Sequence, residues 1–252
     1  MTMKMRSKAG AAALAVLATV LAATPVLAQR PDVAVVYRLL QERRMLVTPA
    51  GGTARTAALG ERLRTGDVVS TSENTRAALR FTDDGSILRV NPKSQVTLTA
   101  GREGGAVVRT LNMEFGELWT RVVRHQGTTL RVQTPAGVAA VKGTELMVRV
   151  SEADSSVTLI TLEGVVEFFN DAGRVDVTAG QKVEVRSKSD APRAVPATRE
   201  ELRAAEGVRG EEGGTAEATW VEVELQDAAG RTRTLMLQLP AAAVRSRVEG
   251  TP

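Results

Sequence analysis

Short segments with an apolar residue at every second position, separated by glycine or proline, most constrain how this chain can fold. Within 130–150, apolar and polar residues alternate over 130–133 and again over 146–150. Between these two segments stand Pro135, which has no backbone N–H to give to a sheet, and Gly143. A period of two predicts strands with one buried face, and the glycine and proline predict sharp corners between them. The stretch therefore favours an all-β structure.

The same pattern extends from about residue 63 to residue 185. Asp84-Gly85 is a strong hairpin signal, because both residue types accept the positive φ of a tight turn. Glu163-Gly164 and Ala179-Gly180 mark further turns. Short strands at near-regular spacing predict a β-solenoid or β-helix-like domain with Gly/Pro corners, and a jelly-roll-like sandwich is the alternative. A β-hairpin is predicted near the C-terminus, where 221–225 and 235–239 alternate around Asp227-Ala228-Ala229-Gly230.

The composition is that of a globular protein, with 43% hydrophobic and 25% charged residues. Aromatic residues make up only 3%, so we expect a core of Val, Leu and Ala. The formal charge is +4, but three of the 33 basic residues lie in the first eight positions. Without those three the chain is nearly neutral, which argues against a nucleic-acid partner.

The N-terminus has the pattern of a secretory signal peptide. Basic residues precede an uncharged, alanine-rich run over 9–28, and Val26 and Ala28 fit the small residues required before a cleavage site. We predict cleavage after Ala28, with an uncleaved anchor as the alternative. The mature protein would then be periplasmic or secreted and would meet the membrane only transiently. The chain has no cysteine, which excludes disulfides, thiolate metal sites and a lipoprotein anchor.

We expect five segments along the chain. They are a signal peptide (1–28), an N-terminal extension with the first strand (29–59), a β domain (60–186), a polar linker with a short helix (187–218), and a C-terminal hairpin and tail (219–252). The helix is predicted because Thr198 and Glu201 form a capping-box pattern.

No group of residues predicts a reaction centre, a metal site or a cofactor site. His125 is the only histidine and stands beside Gln126-Gly127 in a polar connection. Asp83 and Asp84 precede Gly85, which explains them as turn formers rather than as an acid–base pair. G-x-S-x-G, P-loop and dinucleotide fingerprints are not present. We therefore predict a protein that is not an enzyme.

The two tryptophans are candidate contact residues. Trp119 and Trp220 each lie in an alternating segment, an even number of positions from charged residues. Residues with this spacing point to the same side of a strand, which places both tryptophans on a polar face, where an exposed indole can anchor a partner. Partial burial beneath a neighbouring element is the alternative.

The run Val-Gln-Thr-Pro-Ala-Gly-Val-Ala-Ala-Val-Lys-Gly-Thr-Glu-Leu-Met-Val is similar to the signature of the FecR domain family. The resemblance covers about 60–185 and rests on motifs that follow the family's order. The family-motif residues are Gly66, Asp67, Asp84, Gly85, Ser86, Gly116, Thr134, Pro135, Gly143, Thr144, Gly164 and Gly180. The resemblance implies a β-rich, solenoid-like periplasmic domain without known catalytic residues, in which these residues are structural. Founding members of the family relay occupancy of an outer-membrane iron-siderophore receptor to an extracytoplasmic-function sigma factor.

This sequence departs from those regulators at both ends. Only eight residues precede the apolar run, so we expect no cytoplasmic anti-sigma part, and the C-terminal part is shorter than a receptor-signalling module. We predict a non-catalytic exported domain that binds an envelope protein or glycan, as an accessory to cell-surface signalling. One alternative is a sensor in sigma-factor or iron-uptake regulation that works with a separate membrane partner. Another is a polysaccharide-acting enzyme on a β-helical scaffold, although the low aromatic content counts against it.

Overall fold

The computed structural model describes residues 30–40, 45–209, 218–226 and 230–240. The predicted signal peptide and its cleavage site at Ala28 lie outside these residues. Strands make up most of the described residues, so the prediction of a mostly β protein is confirmed.

The first nine strands are β1 (Asp32–Leu40), β2 (Met45–Thr48), β3 (Arg55–Thr56), β4 (Arg62–Arg64), β5 (Asp67–Thr71), β6 (Arg76–Phe81), β7 (Ile87–Val90), β8 (Ser94–Glu103) and β9 (Ala106–Arg121). The elements that follow are β10 (Thr128–Thr134), β11 (Gly137–Val141), β12 (Glu145–Val150), β13 (Val157–Glu163), β14 (Val165–Asn170), β15 (Gly173–Thr178), β16 (Gln181–Val185), β17 (Val195–Pro196), α1 (Arg199–Arg209), β18 (Ala218–Gln226) and β19 (Thr232–Pro240).

The strands before α1 form two layers, here called sheet A and sheet B. Neighbours in sheet A follow the order β4-β1-β6-β7-β9-β12-β13-β16-β17. Neighbours in sheet B follow the order β3-β2-β5-β8-β9-β10-β11-β14-β15. Every pairing in these two orders is antiparallel except β9–β10, which is parallel. The chain therefore folds back and forth between two layers.

Strand β9 belongs to both layers and joins them. Its first half pairs with β8 up to Phe115, and from Gly116 onward it pairs with β12. Gly116 has a φ of +102°, a conformation that L residues with a side chain rarely adopt. A Cβ at this position would also overlap the backbone and side chain of Ser94. The crossing between the layers therefore requires glycine at this point.

A single core lies between the two layers and receives side chains from both. It is built from valine, leucine and alanine with two phenylalanines, Phe81 and Phe168, as the composition predicts. The buried faces follow the alternation in the sequence: Val96 and Leu98 of β8 point inward, as do Leu130 and Val132 of β10. The finer prediction of a β-solenoid is not confirmed, because the layers are built almost entirely from antiparallel pairs.

The segment after β16 packs more closely than a linker would. Strand β17 pairs with β16, and α1 begins directly after Thr198, the first residue of the predicted capping box. Thr198 and Glu201 make the reciprocal hydrogen bonds of that box, at 2.8 Å and 3.2 Å. Ala205 of α1 is buried against Met147 and Ile160 on the outer face of sheet A. Strands β18 and β19 pair as an antiparallel hairpin where one was predicted.

Candidate functional site

Several family-motif glycines form a column of corners at one end of the two layers. A Cβ on Gly143 would lie 2.8 Å from Cβ of Arg124, and a Cβ on Gly164 would lie 2.8 Å from Cγ2 of Thr144. Gly164 in turn accepts a hydrogen bond from the backbone N–H of Ala179, at 3.1 Å. The segments that cross between the layers therefore pack too closely to leave room for a side chain at Gly143 or Gly164. The role of these two glycines is structural.

Other family-motif residues stabilise turns. Asp67 is buried and accepts hydrogen bonds from the guanidinium of Arg30 and from the backbone N–H of Arg64, each at 2.9 Å. The hydroxyl of Thr134 donates to the carbonyl of Gly137 at 2.7 Å and accepts from its N–H at 3.2 Å, which closes the turn at the exposed Pro135.

The aspartates of the β6–β7 turn hold a buried arginine. Arg109 donates to Asp84 at 2.9 Å and 2.6 Å and to Asp83 at 3.2 Å, and its guanidinium lies 4.3 Å from the centroid of the Phe81 ring. Burial raises the pKa of Asp83, although Arg109 acts in the opposite direction. The side chain of Ser86 accepts a hydrogen bond from the N–H of Val123 at 2.9 Å. Both aspartates are committed to this ion cluster. No local pattern predicts that Arg109 joins these aspartates, because it lies about 25 residues away from the turn.

The hypothesis that Trp119 is an exposed contact residue is wrong. Trp119 does lie on the outer face of sheet A, but it is fully buried because α1 packs over this part of the sheet. Its indole N–H donates to Glu145 at 3.2 Å, and the guanidinium groups of Arg89 and Arg121 lie 5.2 Å and 5.5 Å from its ring. The side chain of Trp220 lies outside the described residues.

Side chains that could ligate a metal ion are not clustered among the described residues. These residues contain no group of three or more histidine, cysteine, aspartate or glutamate side chains that could hold a metal ion. His125 is exposed in the connection from β9 to β10, beside Arg124 and across from Lys142.

The outer face of sheet B is an open polar surface among the described residues. Val96, Leu98, Leu111 and Leu130 point into the core, so the residues between them point outward. We call this surface the polar face. It consists of Ser70, Gln95, Thr97, Thr99, Thr110, Asn112, Arg131 and Gln133.

Register brings the members of the polar face together from distant parts of the sequence. Thr97 lies opposite Asn112, and Asn112 lies opposite Gln133 on the next strand. Two residues further along the strands, Thr99 lies opposite Thr110, and Thr110 opposite Arg131. The result is two rows of polar side chains, each of which crosses three strands.

The polar face is nearly neutral at its centre and apolar at its margins. Arg131 is paired with Glu103 at 2.9 Å, and Gln95 donates to Glu114 at 2.6 Å. Leu46, which lies opposite Ser70, is 40% exposed, and Val138 and Phe169 are half-buried at the other margin. The uncharged groups can exchange hydrogen bonds with a partner, and the exposed apolar groups beside them can be buried against it. Alternation in the sequence predicts which residues point outward, but not which strands lie side by side.

The two layers differ in what covers them. In the described part of the chain, α1 packs against β12, β13 and β9 on sheet A, where it meets Met147 and Ile160. The outer face of sheet B has no comparable covering element among the described residues. The fold thus defines a two-layer β domain with one outer face partly covered and one open.

Comparison with known proteins identifies this domain. Residues 67–167 match a family model described as FecR protein, so this part of the chain is a FecR domain and the resemblance seen in the sequence is confirmed. No curated protein matches the chain. In the described residues, no helix is both long enough and apolar enough to cross a membrane.

Two solved structures resemble the chain over part of its length. Both are crystal structures, at 1.65 Å and 2.50 Å resolution, of a candidate anti-sigma factor from Parabacteroides distasonis. They share 17% and 18% sequence identity with this chain, with TM-scores of 0.47 and 0.46. The matched region covers 54% of this chain and 63% and 62% of those chains, so the chain spans less than two thirds of their length. A similarity of this degree carries no conclusion about function.

Proposed function

We infer that this protein is an exported, non-catalytic interaction protein of the cell envelope, whose FecR domain binds a protein partner through the polar face. The observation that carries this proposal is the contrast between the two layers. Helix α1 covers part of the outer face of sheet A, whereas the outer face of sheet B presents rows of polar side chains, uncharged except for Arg131, to solvent. A FecR domain is consistent with a role in signalling, and we propose that binding serves cell-surface signalling.

A protein fits the polar face better than a glycan does. Sugar rings usually stack on exposed tryptophan or tyrosine, and no such side chain belongs to the polar face. Its margins instead offer aliphatic groups, such as Leu46 and Val138. A partner that places its own backbone and small side chains over the threonines would bury both kinds of surface.

Site-specific photo-crosslinking in an envelope fraction tests this proposal. A crosslinking amino acid at Thr97 or Asn112 is expected to capture one partner protein, because both positions lie at the centre of the polar face. The matched position is Thr158, a half-buried threonine on the outer face of sheet A, which should capture no such partner.

Substitutions then measure how much the polar face contributes to binding. Thr97→Arg places a long charged side chain among neutral groups and should weaken binding of the captured partner about tenfold or more, whereas Thr158→Arg should not. Equal capture from both layers, or unchanged affinity of Thr97→Arg, would contradict the proposed surface. Turnover of a polysaccharide by the purified chain would contradict the non-catalytic role.

A further inference from the structure

A cleft of about 440 Å³ lies at the end of the layers where the corners are stacked. It is formed by the connection from β9 to β10 and by the corner between β11 and β12. Its volume falls within the range of small-molecule sites, about 300–1,000 Å³. The cleft also includes the first residues of β9 and β10, two strands whose later residues belong to the polar face.

The cleft is positively charged. Arg124, Lys142 and the single histidine, His125, line it, and none of its described lining residues is an aspartate or glutamate. Arg124 and Lys142 form no ion pair with any described residue, unlike Arg131 and Arg149, which are paired with Glu103 and Glu117. A concave surface whose charged groups are all cationic concentrates anions from solution.

Gly143 is what brings the two cations to the same cleft. Its φ of +69° turns the chain directly after Lys142, and the absence of a side chain lets the corner rest against Arg124. A Cβ on Gly143 would lie 2.8 Å from Cβ and 3.3 Å from Cα of Arg124. The fold therefore holds two like charges at one site without an intervening carboxylate.

The floor of the cleft is apolar. Val122 is buried, Val123 is 48% exposed and Ala106 is half-buried, and all three line the cleft beside the cations. An inorganic anion would leave this apolar surface in contact with water. A ligand that carries a short aliphatic group next to its charge would cover it.

We propose that this cleft binds a carboxylate that bears a short aliphatic group. Arg124 and Lys142 hold the carboxylate, since a guanidinium can donate two parallel hydrogen bonds to its oxygens. The aliphatic group rests on Val122 and Val123. A free branched carboxylic acid and the C-terminal residue of a peptide chain both offer this chemistry.

NMR titration of the full-length chain tests this proposal, with the backbone amide signals of Gly127 and Gly143 as reporters. The probes are isovalerate, acetate, the neutral isovaleramide, and a tetrapeptide ending in valine with a free or an amidated C-terminus. Isovalerate or the free peptide should shift both signals to saturation, with weaker binding of acetate and none of the neutral amides. Saturation by the peptide alone would identify a chain end as the ligand, and saturation by isovalerate alone would identify a free acid.

Matched variants locate the binding site. Arg124→Gln and Lys142→Gln retain most of the side-chain stem, and together they should raise the Kd of the bound probe about tenfold or more. Lys188→Gln removes an exposed cation outside the cleft and should leave the Kd unchanged. Failure of every acid probe to saturate, equal binding of acid and amide, or an unchanged Kd in the double variant would each overturn the proposal.

Discussion

At the scale of single residues, glycine positions decide whether the two layers can be joined. Gly116 stands where β9 leaves sheet B, with a φ of +102° and no room for a Cβ beside Ser94. Gly101, in β8, is exposed, and a Cβ there would meet no atom within 4 Å. The same substitution should therefore have very different effects at these two glycines.

Gly116→Ala is expected to lower the free energy of unfolding by about 2–4 kcal/mol, because it adds backbone strain and forces Ser94 to move. Gly101→Ala should change it by less than about 1 kcal/mol. Denaturant titration of both variants measures the difference. Equal stability of the two variants would show that the crossing tolerates a side chain.

At the scale of elements, α1 is attached to sheet A by the apolar contact of Ala205 and by two ion pairs, Lys182–Glu201 at 2.5 Å and Arg209–Glu145 at 3.6 Å. Glu201 accepts a hydrogen bond from Lys182 at 2.5 Å and from the backbone N–H of Thr198 at 2.8 Å. The hydrogen bond from Lys182 and the Thr198 N–H lower the pKa of Glu201 to about 2. A lowered carboxyl pKa stabilises the folded state above the ordinary value near 4.5. That stabilisation is lost as the pH falls toward 2.

Glu201→Gln retains the side-chain length and an oxygen that can accept the capping-box hydrogen bond, but it removes the negative charge. At pH 7 we expect it to weaken the docking of α1 by at most about 1 kcal/mol, because the contact is partly exposed. Trp119 lies beneath this region, so its emission, measured in a Trp220→Phe background, reports the docking. The difference from the parent should disappear between pH 4.5 and pH 2.

Glu206→Gln, at an exposed position of the same helix, is the control and should behave as the parent does at every pH. If Glu201→Gln matched the parent at pH 7, the ion pair with Lys182 would not hold α1 in place.

At the scale of the whole molecule, a buried ion cluster ties one layer to the other. Arg109 comes from the half of β9 in sheet B, and Asp84 from the β6–β7 turn of sheet A. Their side chains are 2% and 1% exposed, whereas those of Arg131 and Glu103, a pair on the surface, are 38% and 59% exposed. Removing one partner of a buried pair leaves a charge in the interior, while removing one on the surface leaves it in water.

Asp84→Ala should therefore lower the free energy of unfolding by about 3–5 kcal/mol. Glu103→Ala should lower it by about 1 kcal/mol or less. Thermal and denaturant unfolding of both variants measure these values. A small effect of Asp84→Ala would show that the layers are held by the apolar core alone.

The sequence by itself determined the strands, their buried faces and most of the corners of this protein. Alternation at 130–133, the Asp84-Gly85 turn and the Thr198–Glu201 capping box are local patterns, and each reflects backbone geometry within a few residues. The order of motifs was also enough to recognise a FecR domain. What can be predicted in this way depends on neighbours along the chain.

Only the tertiary structure decided which strands lie side by side and which surfaces remain open. Trp119 is buried because a helix some 80 residues later covers it, and Arg109 is neutralised by a turn about 25 residues earlier. The polar face and the cationic cleft likewise join residues from separate strands and corners. Alternation fixes the side of a strand that faces the core, but many registers and layer orders satisfy it equally well. Packing of the common core selects one of them.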